Sequence, residues 1–163
     1  MKLYAVLTYL LIPFALLLGL VDLLSLAFVL LNPSVLIVIF GLTCFVIYTF
    51  SSVIFLKQVV QAEQPLTTKS KDWIKVNAIV SIILCFLFCY DSIYALSSNN
   101  LELTKILKDN VLNQPEIPKE YTLDFFITMF KTIYVMFLLV GTIGIIQISM
   151  TFRLLKQYYK VTE

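Results

Sequence analysis

Three ionisable residues, Asp22, Asp91 and Lys131, lie within or beside long apolar stretches of the sequence. By helical rise, Asp22 is roughly 15 Å from the turn residue Asn32, so we do not expect it in a loop. A charged aspartate at the centre of a bilayer costs about 2.5–3.5 kcal/mol, and desolvation favours its neutral form unless a partner is near. Asp22 is therefore the first candidate for function.

Lys131 is the predicted counter-ion for the aspartates. Asp91 falls about 24 Å along its apolar run from Lys75, and Lys131 falls about 33 Å from Arg153, which leaves roughly 9 Å of depth between them. A lysine stem is long enough to close much of that gap. We expect an intramembrane ion pair of Lys131 with Asp91, with Asp22, or with both. Two alternatives stay open: Asp22 is a proton or cation site, or the charges snorkel to the interface without coupling.

The cysteines Cys44, Cys85 and Cys89 all fall inside apolar segments. A free cysteine in such a setting behaves as a small hydrophobic residue, and its thiolate is disfavoured. Packing is the expected role, and a thiol trio holding a soft ion such as Cu(I) is the alternative. The sequence contains no histidine, which removes the usual haem ligand, the commonest zinc ligand and the usual proton shuttle. We therefore expect no catalytic, cofactor-binding or metal site, and no enzyme.

The composition indicates a membrane protein. Hydrophobic residues make up 60% of the 163 residues and charged residues 13%, with a mean hydropathy of +0.94. Ordinary soluble domains are about 45–50% apolar and about 25% charged. The excess lies in four runs long enough to span a bilayer, which needs about 20 residues. The net charge of +2 is too small to indicate a nucleic-acid partner.

The apolar runs predict an all-α membrane protein: a four-transmembrane-helix bundle in a single integral membrane domain over 1–163. In chain order we expect TM1 at about 4–31, TM2 at about 34–56, an inner loop at 57–74, TM3 at about 75–96, an outer loop at 97–120, TM4 at about 122–153, and a basic tail at 154–163. Apolar residues at helical spacing in the outer loop, after a capping-box pattern of Asn99 and Glu102, predict a short interfacial helix between helices 3 and 4.

Basic residues predict the orientation. Eight of the twelve lie at the two termini and in the polar segment 57–75, whereas Lys105, Lys108, Lys119 and Lys131 are the most that fall on the other side. The positive-inside rule therefore favours cytoplasmic N- and C-termini. The outer segment offers no usable N-x-S/T acceptor, which fits a bacterial cytoplasmic (inner) membrane.

Small residues recur on one side of each predicted helix. Because lipid tails are as apolar as leucine, helices associate in membranes through close approach of small residues and through interhelical hydrogen bonds. The residues predicted to form this helix-packing seam are Ala15, Gly19, Gly41, Ser81, Cys85, Gly141 and Gly144. The sequence thus predicts a bundle whose seams can also accept a partner helix.

These features favour a non-catalytic membrane subunit, or a scaffold or assembly partner of a larger membrane complex. Its partners would be the lipid bilayer and another membrane protein or further copies of the chain. The alternative is a small proton- or cation-coupled transporter that depends on the Asp22 carboxylate. No sequence motif distinguishes the two, because both need only polar residues inside a helical membrane domain.

Overall fold

The structure is a computed structural model that describes residues 1–29, 32–97 and 123–159. Within these residues it has four α-helices, which we number in chain order: α1, Lys2–Ser25; α2, Val35–Phe55; α3, Thr68–Ser97; and α4, Leu123–Tyr159. Each contains a segment long and apolar enough to cross a membrane, as in an integral membrane protein. That part of the predicted fold is confirmed, whereas the expected interfacial helix falls in 98–122, outside the described residues.

The helices do not end where the predicted spans do, and α1 already ends at Ser25, before the predicted end of TM1 at about 31. A 3-10 turn, Leu26–Phe28, follows α1, and a π-helical segment, Leu56–Gln61, continues α2. The α3 helix begins at Thr68, where the Ser70 amide donates to Oγ1 of Thr67 at 3.3 Å. The polar connection between the helical segments therefore covers only 62–67 and is shorter than the predicted inner loop 57–74. Apolar runs show what a bilayer can cover, but a polar residue with a local cap continues a helix equally well.

The last helix also ends later than predicted. We expected TM4 to stop near 153 and a basic tail to occupy 154–163, but α4 continues to Tyr159. Lys156 and Gln157 are good helix formers, so leaving the apolar run does not end the helix. The basic residues at this end accordingly belong in part to the helix itself.

The chain divides into two compact units. The first combines Met1–Phe86 with Val140–Glu163, and the second is Leu87–Leu139. The first unit therefore holds α1, α2, the beginning of α3 and the end of α4, and the second holds the remaining parts of α3 and α4. The candidate sites described below all lie within the first unit.

Glycines lie at two of the closest helix contacts in the first unit. A Cβ placed on Gly41 of α2 would be 3.5 Å from Cδ1 of Leu84 on α3, which is an ordinary contact distance. A Cβ placed on Gly144 of α4 would be only 2.5 Å from Sγ of Cys85. The absence of a side chain at Gly144 is therefore what allows α4 to approach α3 this closely.

Aromatic side chains connect three helix ends in the first unit. Phe55 near the end of α2 makes an edge-to-face contact with Tyr4 of α1 at 6.3 Å between ring centroids, and another with Tyr158 of α4 at 6.4 Å. Tyr4 and Phe55 are completely buried. Such pairs contribute about 0.5–1.5 kcal/mol beyond the area that they bury, so this cluster fixes the start of α1 against the ends of α2 and α4.

The second unit has its own aromatic contact. Phe88 of α3 and Phe137 of α4 stack at 4.9 Å between centroids with an interplanar angle of 9°. Ser92 and Ala95 are buried further along α3. This small cluster holds the last turns of α3 against the first half of α4.

Candidate functional site

Asp22 makes one strong hydrogen bond and leaves one oxygen without a partner. Thr43 Oγ1 of α2 donates to Oδ2 of Asp22 at 2.6 Å. The other oxygen, Oδ1, is buried and has no hydrogen-bond partner among residues 1–29, 32–97 and 123–159. An unpaired carboxylate oxygen away from water is costly, so the site is chemically incomplete as the described residues build it.

The carboxylate lies in a groove between α1 and α2, which we call the α1–α2 groove. It encloses about 540 Å³ and extends from Ala15 of α1 to Leu26 in the 3-10 turn that follows, which is roughly 16 Å. Gly19 opens the groove, since a Cβ at this position would already be 3.5 Å from Val46 of α2. Except for Asp22 and Thr43, the side chains along it are apolar.

The side chains along the open edge of the α1–α2 groove are apolar and exposed. Leu20 and Leu23 of α1 are 60% and 67% exposed, and Phe50 of α2 is 42% exposed. In a protein that spans a membrane, these surfaces meet lipid tails or another apolar helix. The groove therefore opens sideways from the helix pair, and a carboxylate lies within it.

A second polar cluster, the buried polar network, lies elsewhere in the first unit. The Tyr48 hydroxyl donates to Oε1 of Gln147 and lies 2.7 Å from Oγ1 of Thr151, which is 3.2 Å from the Tyr4 hydroxyl. Nε2 of Gln147 donates to Oγ1 of Thr8 at 3.2 Å. All five side chains are completely buried. The network thus connects α1, α2 and α4 through side chains alone.

The hydroxyl protons of the buried polar network are fewer than its short contacts. The Thr8 hydroxyl donates to the Tyr4 carbonyl at 2.8 Å, so its oxygen accepts from Gln147. Tyr48 donates to Gln147, and the single hydroxyl proton of Thr151 is shared between the Gln147 carbonyl at 3.0 Å and the Tyr48 oxygen at 2.7 Å. The network contains no carboxylate and no lysine. It is therefore a set of structural bonds, worth more in a dry interior than at a surface.

The predicted ion-pair residues are placed in different surroundings. Asp91 is exposed on α3 and Lys131 is half-buried on α4, both in the second unit, whereas Asp22 belongs to the first. The pairing of Lys131 with an aspartate stays a prediction. In the part of the chain that the structure describes, no three Cys, Asp or Glu side chains form a group that could hold a metal ion.

The seven residues of the predicted helix-packing seam all belong to the first unit, and most of them are buried. Ala15, Ser81 and Cys85 are completely buried, Gly41, Gly141 and Gly144 are buried, and Gly19 is half-buried beside the α1–α2 groove. Cys44 is buried on α2, and Cys89 is half-buried in the second unit. Small residues therefore line the helix contacts and also open one groove.

Sequence reasoning missed Thr43 and most of the buried polar network. A usable signal was present, because Tyr4 with Thr8, Tyr48 with Ser52, and Gln147 with Thr151 are each four residues apart on one helix face. An isolated glutamine in an apolar helix is a second signal, since its amide needs partners in lipid. For Thr43 no such signal exists, because its role depends on the register of α2 against α1.

Comparison with known proteins identifies no relative: no family model, no curated protein and no solved structure matches this chain.

Proposed function

We propose that this protein is a non-catalytic subunit or assembly partner of a larger membrane complex, and that it binds a transmembrane helix of another protein in the α1–α2 groove. The observation that carries the proposal is the Asp22 carboxylate, with Oδ2 bonded to Thr43 and Oδ1 buried without a partner in the described part of the chain. A helix that offers one hydrogen-bond donor at this depth completes the site.

The shape of the α1–α2 groove favours a helix as the occupant. The groove extends for roughly 16 Å along α1 and the 3-10 turn that follows, about three helical turns, so it matches one face of a second helix rather than a compact solute. Its walls are apolar beyond Asp22 and Thr43, and a helix satisfies its own backbone groups inside lipid. Close approach beside Gly19 and Ala15 is the usual way in which membrane helices pack.

The chemistry of the Asp22 site specifies the partner further. Since Thr43 already donates to Oδ2, an ionised Asp22 needs a donor at Oδ1, and the side chains that can supply one are Lys, Arg, His, Ser, Thr, Tyr, Trp, Asn and Gln. A single such residue near the middle of an otherwise apolar helix is sufficient. Specificity then comes from an apolar face with one donor in register with Asp22.

A second candidate function rests on the same oxygen. A carboxylate that alternates between a protonated and an ion-bound state would make the protein a small proton- or cation-coupled transporter. The free Oδ1 of Asp22 is the observation that favours it. Against it stands the apolar wall of the groove, since a conduction path needs further polar groups along its length.

For cellular placement, we propose a bacterial cytoplasmic membrane with both termini on the cytoplasmic side, supported by the eight-to-four distribution of basic residues. Alkaline phosphatase fused after Asn110 is expected to be active, and the same enzyme fused after Thr68 is expected to be inactive. The opposite pattern would mean that the orientation is inverted.

Purification from native membranes in mild detergent, at native abundance, tests the function. We expect a stoichiometric larger membrane protein to be retained by the unaltered chain and lost from Asp22→Leu, which removes the acceptor. Thr132→Val is the matched control, because this exposed hydroxyl bonds only to its own helix, at the Thr128 carbonyl. A pure oligomer that carries out proton-coupled flux in liposomes would instead establish the transporter.

A further inference from the structure

A second cavity lies where α2 ends and α3 begins, and we call it the α2–α3 pocket. It encloses about 410 Å³ and lies within the first unit. Phe55 and Ile74, which are nearly completely buried, belong to its lining. The helices that form it are the ends of two membrane-spanning segments, so the pocket lies where a bilayer meets water.

The open side of the α2–α3 pocket carries hydrogen-bond donors. Gln58, Lys69, Ser70 and Trp73 are all exposed along its lining. Their amide, ammonium, hydroxyl and indole groups can all donate to oxygen. Of the described residues that line the pocket, Lys69 alone carries a charge, so the pocket presents a positive charge and no carboxylate.

The hydroxyl of Ser70 is positioned by Thr67, the residue before the first turn of α3. Thr67 Oγ1 accepts from the Ser70 amide at 3.3 Å and lies 2.8 Å from Oγ of Ser70, to which it can donate, so that the Ser70 proton is available to a ligand. This cap fixes the first turn of α3 and with it the spacing of Lys69, Ser70 and Trp73. The donors therefore belong to an ordered helix start rather than to a loose connection.

We propose that the α2–α3 pocket binds the phosphate-bearing headgroup of an anionic phospholipid. A phosphodiester oxygen accepts from the Lys69 ammonium and from the Ser70 and Trp73 donors, while an acyl chain leaves along the apolar side of α2, where Ile54 lines the pocket and is 53% exposed. An indole at the interface is suited to this place, because its ring is apolar and its N–H is polar.

A lipid fits this pocket better than a free anion does. The apolar lining of the pocket would remain partly wet around inorganic phosphate, whereas a lipid covers it with glycerol and acyl carbons. The lysines Lys57, Lys69, Lys71 and Lys75 outnumber the acidic residues Glu63 and Asp72 around the connection, which draws anionic lipid to this end of the helices.

Trp73 is the single tryptophan of the chain, so its fluorescence reports directly on this pocket. The full-length protein in an uncharged maltoside detergent is titrated with dihexanoyl phosphatidylglycerol, with dihexanoyl phosphatidylcholine and with inorganic phosphate. We expect a saturable change with phosphatidylglycerol at the lowest concentration. Loss of one charge-assisted hydrogen bond in Lys69→Gln is expected to weaken binding about tenfold.

Lys57→Gln is the matched control, because it removes the same charge from an exposed residue that does not line the pocket. Lys57→Gln should weaken binding much less than Lys69→Gln, because it removes only long-range attraction and no direct contact, and Ser70→Ala should weaken binding independently of Lys69. Equal affinities for the two lipids, no saturable signal, or an unchanged affinity in Lys69→Gln would overturn the proposal. Saturation by inorganic phosphate at the same concentration would overturn the lipid assignment in favour of a free-anion site.

Discussion

The hydroxyl of Tyr48 on α2 donates a hydrogen bond to the side-chain oxygen of Gln147 on α4, a residue 99 positions later in the chain. Both side chains are completely buried. Because Gln147 also donates to Thr8 of α1, this one amide joins three helices. Lipid provides no hydrophobic force between helices, so bonds of this kind contribute directly to holding the first unit together.

The Tyr48–Gln147 pair should show measurable coupling. Tyr48→Phe and Gln147→Leu each leave a buried polar group without its partner, so each should lower the free energy of unfolding by about 1–3 kcal/mol. The double variant should lose less than the sum, because both partners are then gone. Ser149→Ala, which removes an exposed hydroxyl bonded only within α4, is the control. Denaturant unfolding in detergent measures all four, and strict additivity would contradict the pairing.

The contact of Gly144 with Cys85 predicts a rescue. Gly144→Ala places a Cβ 2.5 Å from Sγ of Cys85, so α3 and α4 must separate, and the cost should be about 1–3 kcal/mol. Cys85→Ala removes that sulfur, and the double variant should recover most of the loss. Gly41→Ala is the comparison, since its Cβ would meet Leu84 at an ordinary 3.5 Å. Equal losses at Gly144 and Gly41 in thermal unfolding would show that the close approach is absent.

The loss of unfolding free energy in Lys131→Met should show which aspartate, if either, pairs with Lys131. Asp91 is exposed, and exposed ion pairs contribute about 0–1 kcal/mol, so if Lys131 pairs with Asp91 the variant Lys131→Met should cost no more than that. Removing one partner of a buried pair costs about 3–5 kcal/mol. A loss of that size, recovered by Asp22→Asn, would identify Asp22 as the partner. It would also contradict the proposal that Asp22 is completed by another protein.

Thr43→Val should weaken both partner binding and folding. Thr43→Val removes the donor to Oδ2 of Asp22 but keeps the branched shape of the side chain. Retention of the partner during mild purification should fall, and the free energy of unfolding should fall by about 1–3 kcal/mol, because a buried carboxylate oxygen then has no donor. Thr49→Val is the control, because its hydroxyl bonds only to the Phe45 carbonyl of its own helix. Equal retention of the partner by Thr43→Val and Thr49→Val would show that Thr43 is not part of the site.

The sequence predicts the number and order of the helices better than it predicts where each helix ends. The bilayer imposes length and apolar composition on each span, so four helices could be predicted with confidence in their number and order. Their ends could not, because Thr67 caps α3 before the apolar run begins and π-type bonding carries α2 to Gln61. A local cap depends on a few atoms and not on hydropathy.

The candidate site around Asp22 was also predicted only in part. Asp22 stood out in the sequence because lipid does not explain a charge within a span. Its bond to Thr43 could not be predicted, since it depends on how α2 is rotated and shifted against α1. Gln147 was overlooked although its amide requires partners. Hydroxyl residues such as Thr8 and Thr151 can bond to their own helix, so their sequence positions do not reveal contacts between helices.

The occupancy of the α1–α2 groove is the central claim, and photocrosslinking in native membranes tests it most directly. A photoreactive amino acid replaces Leu20 or Leu23 in the groove, with exposed Ile37 outside the groove as the control position. We predict that the groove positions, but not the control, crosslink to a peptide within an apolar transmembrane segment of another protein. That segment should contain a side chain that can donate a hydrogen bond, and the crosslink should be lost in Asp22→Leu. Crosslinks from the groove to lipid or to a second copy of the chain alone would contradict the account.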